Sequence, residues 1–163
     1  MITFDTPYLY HATFKKNEQS IVKRGLKKCG VEQNWECCAG SRRIFLAENY
    51  DDAVGWMLYW FENHLYGILR EKYSAPTVLF RGHGIPEYEI VSSIDSINLI
   101  AEGLTVFRVD VTDIEVNPHY DPTDPDLIVD WTSTKNIPPK VMSIAGYVFA
   151  DEIRAHLMKI YGK

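Results

Sequence analysis

Tyr8-Leu9-Tyr10-His11-Ala12-Thr13, then Asn17 to Arg24, then Gly25-Leu26: the reading of the whole chain starts from this stretch. Tyr8 to Ala12 is β-prone and flanked by Pro7 and Thr13, which predicts a short strand. A helix is expected from Asn17 to Arg24. Asn17 is placed to cap it, Glu18 suits its positive N-terminal end, and Gly25 can take the left-handed position just past its last turn, with Leu26 packing back. Ile21, Val22 and Leu26 supply its apolar contacts. His11 stands out, because it follows aromatic residues on a strand, where a surface histidine has no reason to be.

Working outward, Lys27 to Arg42 reads as irregular, with Gly30, Gly40 and a polar middle. Ile44 to Ala47 predicts a second strand. Asn49 or Asp51 then caps a long helix reaching about Tyr73, apolar on more than one face and so expected to be well buried. Thr77 to Phe80 reads as a strand closed by the turn Gly82-His83-Gly84, and Pro86 to Leu104 fits helix and strand equally. Thr105 to Val111 alternates as a strand does, with Val106, Arg108 and Asp110 against Phe107, Val109 and Val111. Asp121-Pro122-Thr123-Asp124-Pro125-Asp126 has the turn chemistry of a loop. Leu127 to Thr132 and Met142 to Phe149 read as further strands, Pro138-Pro139 bars a helix between them, and a closing helix starts near Asp151. There is no internal repeat and no low-complexity segment.

The 163 residues argue for one domain spanning 1–163. An apolar fraction of 46% and a charged fraction of 24% are those of ordinary globular proteins and exclude a collagen, a coiled coil or a disordered tail. A net charge of −5 gives no global attraction for nucleic acid or an anionic membrane. The charges are unevenly spread. Lys15, Lys16, Lys23, Arg24, Lys27 and Lys28 face a single acid, Glu18, between residues 15 and 28, whereas Asp110 to Asp130 holds seven acids and no Lys or Arg. These stretches read either as two solvated faces or, for the first, as a basic rim for a phosphate-bearing ligand.

Cys29, Cys37 and Cys38 are an odd number without the paired spacing of a zinc site, so free thiols and a cytoplasmic setting are expected. The opening residues lack the basic-then-apolar pattern of a signal peptide, and the apolar block Val54 to Phe61 is too short to span a bilayer. No Gly-Lys-Ser/Thr phosphate loop, dinucleotide GxGxxG, HExxH or GxSxG is present. Apart from His11, the histidines (His64, His83, His119, His156) are scattered without ligand spacing and read as structural or solvated.

Three segments resemble, in order and spacing, the core of the ADP-ribosyltransferase fold, shared by poly-ADP-ribose polymerases, diphtheria-type toxins and NAD-using tRNA 2′-phosphotransferases. Leu9 to Thr13 with Arg24-Gly25-Leu26 is similar to the family's "LYHGT…GL" opening. Arg43-Ile44-Phe45-Leu46-Ala47-Glu48, with Ala53 and Trp56, is similar to the segment that enters the nicotinamide pocket. Thr105 to Val111, the acidic loop, Asp130-Trp131 and Ile137-Pro138-Pro139 are similar to the closing strands, where a catalytic glutamate precedes an "I-P-P" ending. Together these span residues 8 to 144, and the interval from Leu58 to Leu104 has no counterpart.

The resemblance implies a site. His11 would hold the adenosine-side ribose, Tyr10 would belong to the NAD-binding strand, and the backbone at Ala12 would hold the nicotinamide carboxamide, where the family usually has glycine. Thr13 would offer a hydroxyl at the pocket edge. Phe45 would stack on nicotinamide without the hydroxyl of the tyrosine usual there, and Trp56 would form a second aromatic wall or simply core. Arg42 and Arg43, with Lys15 and Lys16, would flank the pyrophosphate.

Asp130 stands where the family has glutamate, with a side chain about 1.5 Å shorter, enough to lose a catalytic hydrogen bond. Three readings stay open. Asp130 is the working carboxylate, or it is a remnant in a protein that binds without turnover, or the acid belongs to the Asp121–Asp126 loop.

The expected fold is α+β: split, twisted, mostly antiparallel sheets with flanking helices, ADP-ribosyltransferase-like. The expected activity is transfer of ADP-ribose from NAD, used as substrate and without a metal, to a macromolecular acceptor, protein ahead of nucleic acid, with no membrane partner. The alternatives are a catalytically silent module binding a protein or nucleotide, and an RNA 2′-phosphotransferase-like enzyme. Toxin, phage effector and housekeeping modifier are all settings the resemblance admits.

Overall fold

The computed structural model describes residues 7–27 and 43–162. Arg42, Lys28 and the three cysteines lie outside these residues, as does most of the irregular 27–42 stretch.

The fold is α+β, built on two three-stranded antiparallel sheets. In the first, β1 (Tyr8–Phe14) pairs with β3 (Leu104–Asp110), from Tyr8↔Asp110 to Phe14↔Leu104, and β3 pairs with β6 (Met142–Val148), giving the order β1-β3-β6. In the second, β5 (Asp124–Ser133) lies between β2 (Ile44–Leu46) and β4 (Asn117–Asp121), giving β2-β5-β4. Among the described residues, one backbone seam joins the two sheets. Tyr10 and Ala47 exchange both backbone hydrogen bonds, at 2.9 and 2.7 Å.

β1 alternates between two surroundings. Leu9 faces an apolar cluster with Ile44, Leu46, Phe107, Val109, Trp131 and Ile137, which fills the space between the sheets. Tyr10, Ala12 and Phe14 face a second cluster made with the helices. The period of two along a strand therefore divides one short sequence between two cores.

The first helix, α1 (Glu18–Arg24), follows a 3₁₀ turn at Lys15–Asn17. Asn17 occupies the expected cap position but makes no cap bond; its Nδ2 donates instead to Thr13 Oγ1 at 3.0 Å. Gly25 has φ +76°, and a Cβ there would meet the Ile137 carbonyl oxygen at 2.0 Å, because Leu26 and Ile137 exchange backbone hydrogen bonds immediately after it. Only glycine fits this left-handed, crowded position.

The long helix α2 (Tyr50–Lys72) starts where Asn49 Oδ1 accepts from the Asp52 amide at 2.8 Å. Its fully buried residues are Ala53, Met57, Phe61, Leu65 and Leu69, a stripe at every fourth position, and Val54, Leu58, Trp60, Tyr66 and Ile68 beside it are partly buried against the same core. The flanking aromatics are half-buried, and Tyr59 is exposed. Residues 77–80, expected as a strand, instead belong to α3 (Ala75–Leu79) and the residue after it. Pro76 presets the first turn, Ser74 Oγ and Thr77 Oγ1 lie 2.9 Å apart, and Val78 enters the helical core. The β preference of Thr77 and Val78 yields to that packing.

The ambiguous stretch resolves into α4 (Glu87–Asp95) and α5 (Asn98–Glu102), and the chain closes with α6 (Ala150–Tyr161), whose Ile153, Leu157 and Tyr161 pack into the helical core. Among the described residues no helix is long and apolar enough to cross a membrane.

The acidic stretch is not a loop but a hairpin. Asp121 pairs with Asp124 across a two-residue turn, so β5 begins six residues before Asp130. Asp121 Oδ1 accepts from the Thr123 amide and hydroxyl at 2.7 and 2.6 Å, and Asp124 Oδ1 accepts from the Asp126 amide at 3.1 Å. These acids serve the turn itself, as short acidic side chains do.

Candidate functional site

The pairing register of the second sheet decides which side chains meet. Phe45 lies opposite Thr132, and Asp130 lies opposite His119. Thr132 and Asp130 are two residues apart on β5, so Phe45, Thr132, Asp130 and His119 share one face. Ile44, Leu46 and Trp131 take the other face and enter the inter-sheet core.

On the shared face, His119 Nδ1 and Asp130 Oδ1 are 2.6 Å apart. The Asp130 side chain is 9% exposed and the His119 side chain 32%. Burial holds the Asp130 carboxyl above its ordinary range, while the bond to His119 pulls it the other way. The Phe45 ring meets the His119 ring edge-on, with centroids 5.5 Å apart.

The first sheet contributes His11. Its Nδ1 lies 3.0 Å from the Phe45 carbonyl oxygen, across the seam made by Tyr10 and Ala47. A carbonyl only accepts, so Nδ1 carries the hydrogen and Nε2 is the acceptor nitrogen of the neutral ring. Burial lowers the His11 pKa and so favours the neutral ring, an effect the carbonyl partly offsets. One line of contacts thus runs from His11 through the backbone and ring of Phe45 to His119 and Asp130.

The remaining expected site residues are placed differently. Tyr10 and Ala12 direct their side chains to the helical cluster, and the Tyr10 ring meets Tyr50 edge-on at 6.3 Å. What these two residues can offer on the His11 side is backbone. Thr13 is buried and its hydroxyl accepts from Asn17, which braces the turn after β1.

Trp56 sits one position from the buried Met57 and belongs to neither apolar cluster. Arg43 is exposed just before β2. Lys15 holds its ammonium 5.2 Å from the Tyr147 ring on β6, the first-sheet strand farthest from β2, and Lys16 lies over Phe14 at 5.8 Å. Lys15, Lys16, Lys23, Arg24 and Lys27, which follow β1, are all exposed.

His119 is the residue that sequence reasoning missed. Eleven positions separate it from Asp130, and their meeting depends on a hairpin register with shifts at His119/Tyr120 and Tyr120/Asp121. The available signal was a histidine and an aspartate on either side of a proline-rich acidic turn, readable only once that turn is recognised as a hairpin.

Chemically, the cluster offers an imidazole whose Nδ1 is held by a carbonyl, an aromatic ring, and a carboxylate–imidazole pair. That is a set suited to gripping a polar ring system and answering a developing positive charge. No family model, no curated protein and no solved structure matches the chain.

Proposed function

We propose that this chain is an NAD-dependent ADP-ribosyltransferase with an ADP-ribosyltransferase-like split-sheet fold. The observation that carries the reading is the convergence of His11, Phe45 and Asp130, drawn from three distant stretches, onto one line of contacts. Breaking the bond between nicotinamide and ribose passes through an oxocarbenium-like state, which needs grip, orientation and nearby negative charge more than a covalent partner.

Each residue has a part in this reading. His11, with Nε2 as acceptor, takes a ribose hydroxyl. Phe45 stacks on nicotinamide, worth about 0.5–1.5 kcal/mol beyond area burial. Asp130 supplies the charge, with Oδ1 held by His119 and Oδ2 without a hydrogen-bond partner among the described residues. The acidic hairpin of Asp121, Asp124 and Asp126 disfavours a nucleic acid acceptor and favours a protein one.

A second reading, a silent module that binds NAD or a related nucleotide, draws on the missing hydroxyl at Phe45 and the short Asp130 side chain. One experiment separates the two: incubation of the purified protein with NAD and quantification of free nicotinamide. The proposal expects release that falls to background in His11→Ala and Asp130→Asn. Release that both substitutions leave unchanged overturns it. A thermal shift with NAD but no release assigns the chain to the binding module.

A further inference from the structure

The Asp130 carboxylate is not open on both sides. Its Oδ1 is committed to His119 Nδ1 at 2.6 Å, and the carboxyl is nearly buried while the imidazole is about a third exposed. A buried carboxylate bonded to one ring nitrogen sets the tautomer: Nδ1 carries the hydrogen and donates it to Asp130. Nε2, on the opposite side of the ring, then holds the free lone pair and has no hydrogen-bond partner among the described residues. The Phe45 ring edge limits how the imidazole can turn. This arrangement has the form of a general base: a nitrogen acceptor on a part-exposed ring that is held in place by a carboxylate behind it.

Resting on the reading of the site as one that cleaves NAD, we propose that His119 is a catalytic base, with Asp130 as its positioning residue, and that the acceptor is a hydroxyl group. A carboxylate acceptor has no proton to lose and gains nothing from such a pair, whereas a hydroxyl must shed one as it bonds. In the step, the bond from ribose C1′ to the nicotinamide nitrogen breaks and its electron pair leaves with nicotinamide. The acceptor oxygen bonds to C1′, and its proton passes to His119 Nε2. The imidazolium so formed is held against the Asp130 carboxylate and later returns the proton to water. The charge expected to answer the oxocarbenium thus acts in part through the imidazole.

The test needs no natural acceptor, because water and glycerol are its probes. Purified protein is incubated with NAD in glycerol–water mixtures, and nicotinamide and glyceryl ADP-ribose are quantified for the unaltered chain, His119→Gln and His119→Ala. Glyceryl transfer is expected to fall about a hundredfold in both variants, with free imidazole restoring it in His119→Ala, a rescue that a purely structural histidine would not show. Nitrogen NMR of the unaltered protein is expected to show His119 as the tautomer protonated at Nδ1, which keeps the inference testable should a variant fail to fold. Transfer undiminished in His119→Gln, or a His119 tautomer protonated at Nε2, overturns the inference while leaving the transferase reading standing. Absence of nicotinamide release from the unaltered protein overturns both.

Discussion

Two imidazole–carboxylate pairs sit in different halves of this molecule. His119 and Asp130 meet across β4 and β5 at 2.6 Å; His156 and Glu62 meet across α6 and α2, Nε2 to Oε1, at 2.5 Å. Both histidine side chains are 32% exposed. The carboxylates differ more, with Asp130 at 9% and Glu62 at 24%, and so do the neighbours. Beyond His119 lie the Phe45 ring and then His11, one residue along β1 from the seam between the sheets. Glu62 adjoins the core residue Phe61, and burial, with the Glu62 charge second to it, raises the pKa of Tyr161, which stands on the same helix as His156. The same chemical pair is thus a strut between helices in one place and part of a convergent polar cluster in the other. An imidazole bonded to a carboxylate says little until what surrounds it is known.

That contrast predicts opposite outcomes for the same substitution. His119→Gln carries the largest expected effect of this pair of substitutions, about a hundredfold loss of transfer, beside a stability cost on the same hydrogen-bond scale as at His156. Equal loss from His119→Gln and His156→Gln would erase the distinction between the pairs. His156→Gln is expected to leave NAD cleavage unchanged and to cost about 1.5–3 kcal/mol of stability, the scale of a hydrogen bond to a charged group, readable by urea unfolding.

The smallest expected effect is a pH dependence. Burial sets the folded pKa of His11 below 6.5, so between 6.5 and that lower value the unfolded chain binds a proton that the native chain does not. Stability therefore falls as pH drops through this window, and His11→Gln is expected to flatten that slope. Asp130 acts with the opposite sign. Its raised pKa lets the native state keep a proton longer, so stability falls as pH rises from 3.8 toward the folded value, and Asp130→Asn removes that fall. Unfolding free energies measured across acid and neutral pH for the three proteins check both signs.

Most of the frame was legible locally. The strand and helix before Gly25, the cap at Asn49, the alternation after Leu104 and the closing helix were all written in neighbouring residues, and each formed as expected. Elements decided by partners were not legible in this way. Val78 favours a strand by itself but finds its burial as part of a helix packed on the helical core. Asn117–Asp121 contains Pro118 and two polar ends, and it is a strand because β5 lies beside it. His11 and Phe45 could be picked out of their own strands, but the meeting of His119 with Asp130 is a property of register, and register is set by the whole hairpin.

The central claim is that His11 and His119 line one site for NAD, and titration of the imidazole-labelled protein with a carbocyclic NAD analogue tests it directly, because that analogue binds without losing nicotinamide. Ring signals of the five histidines are assigned by single His→Gln variants. The His11 and His119 signals are expected to shift together and saturate at the same concentration while His156 stays in place. Shifts at His156 alone, or none at His11 and His119 at saturating analogue, would contradict the claim.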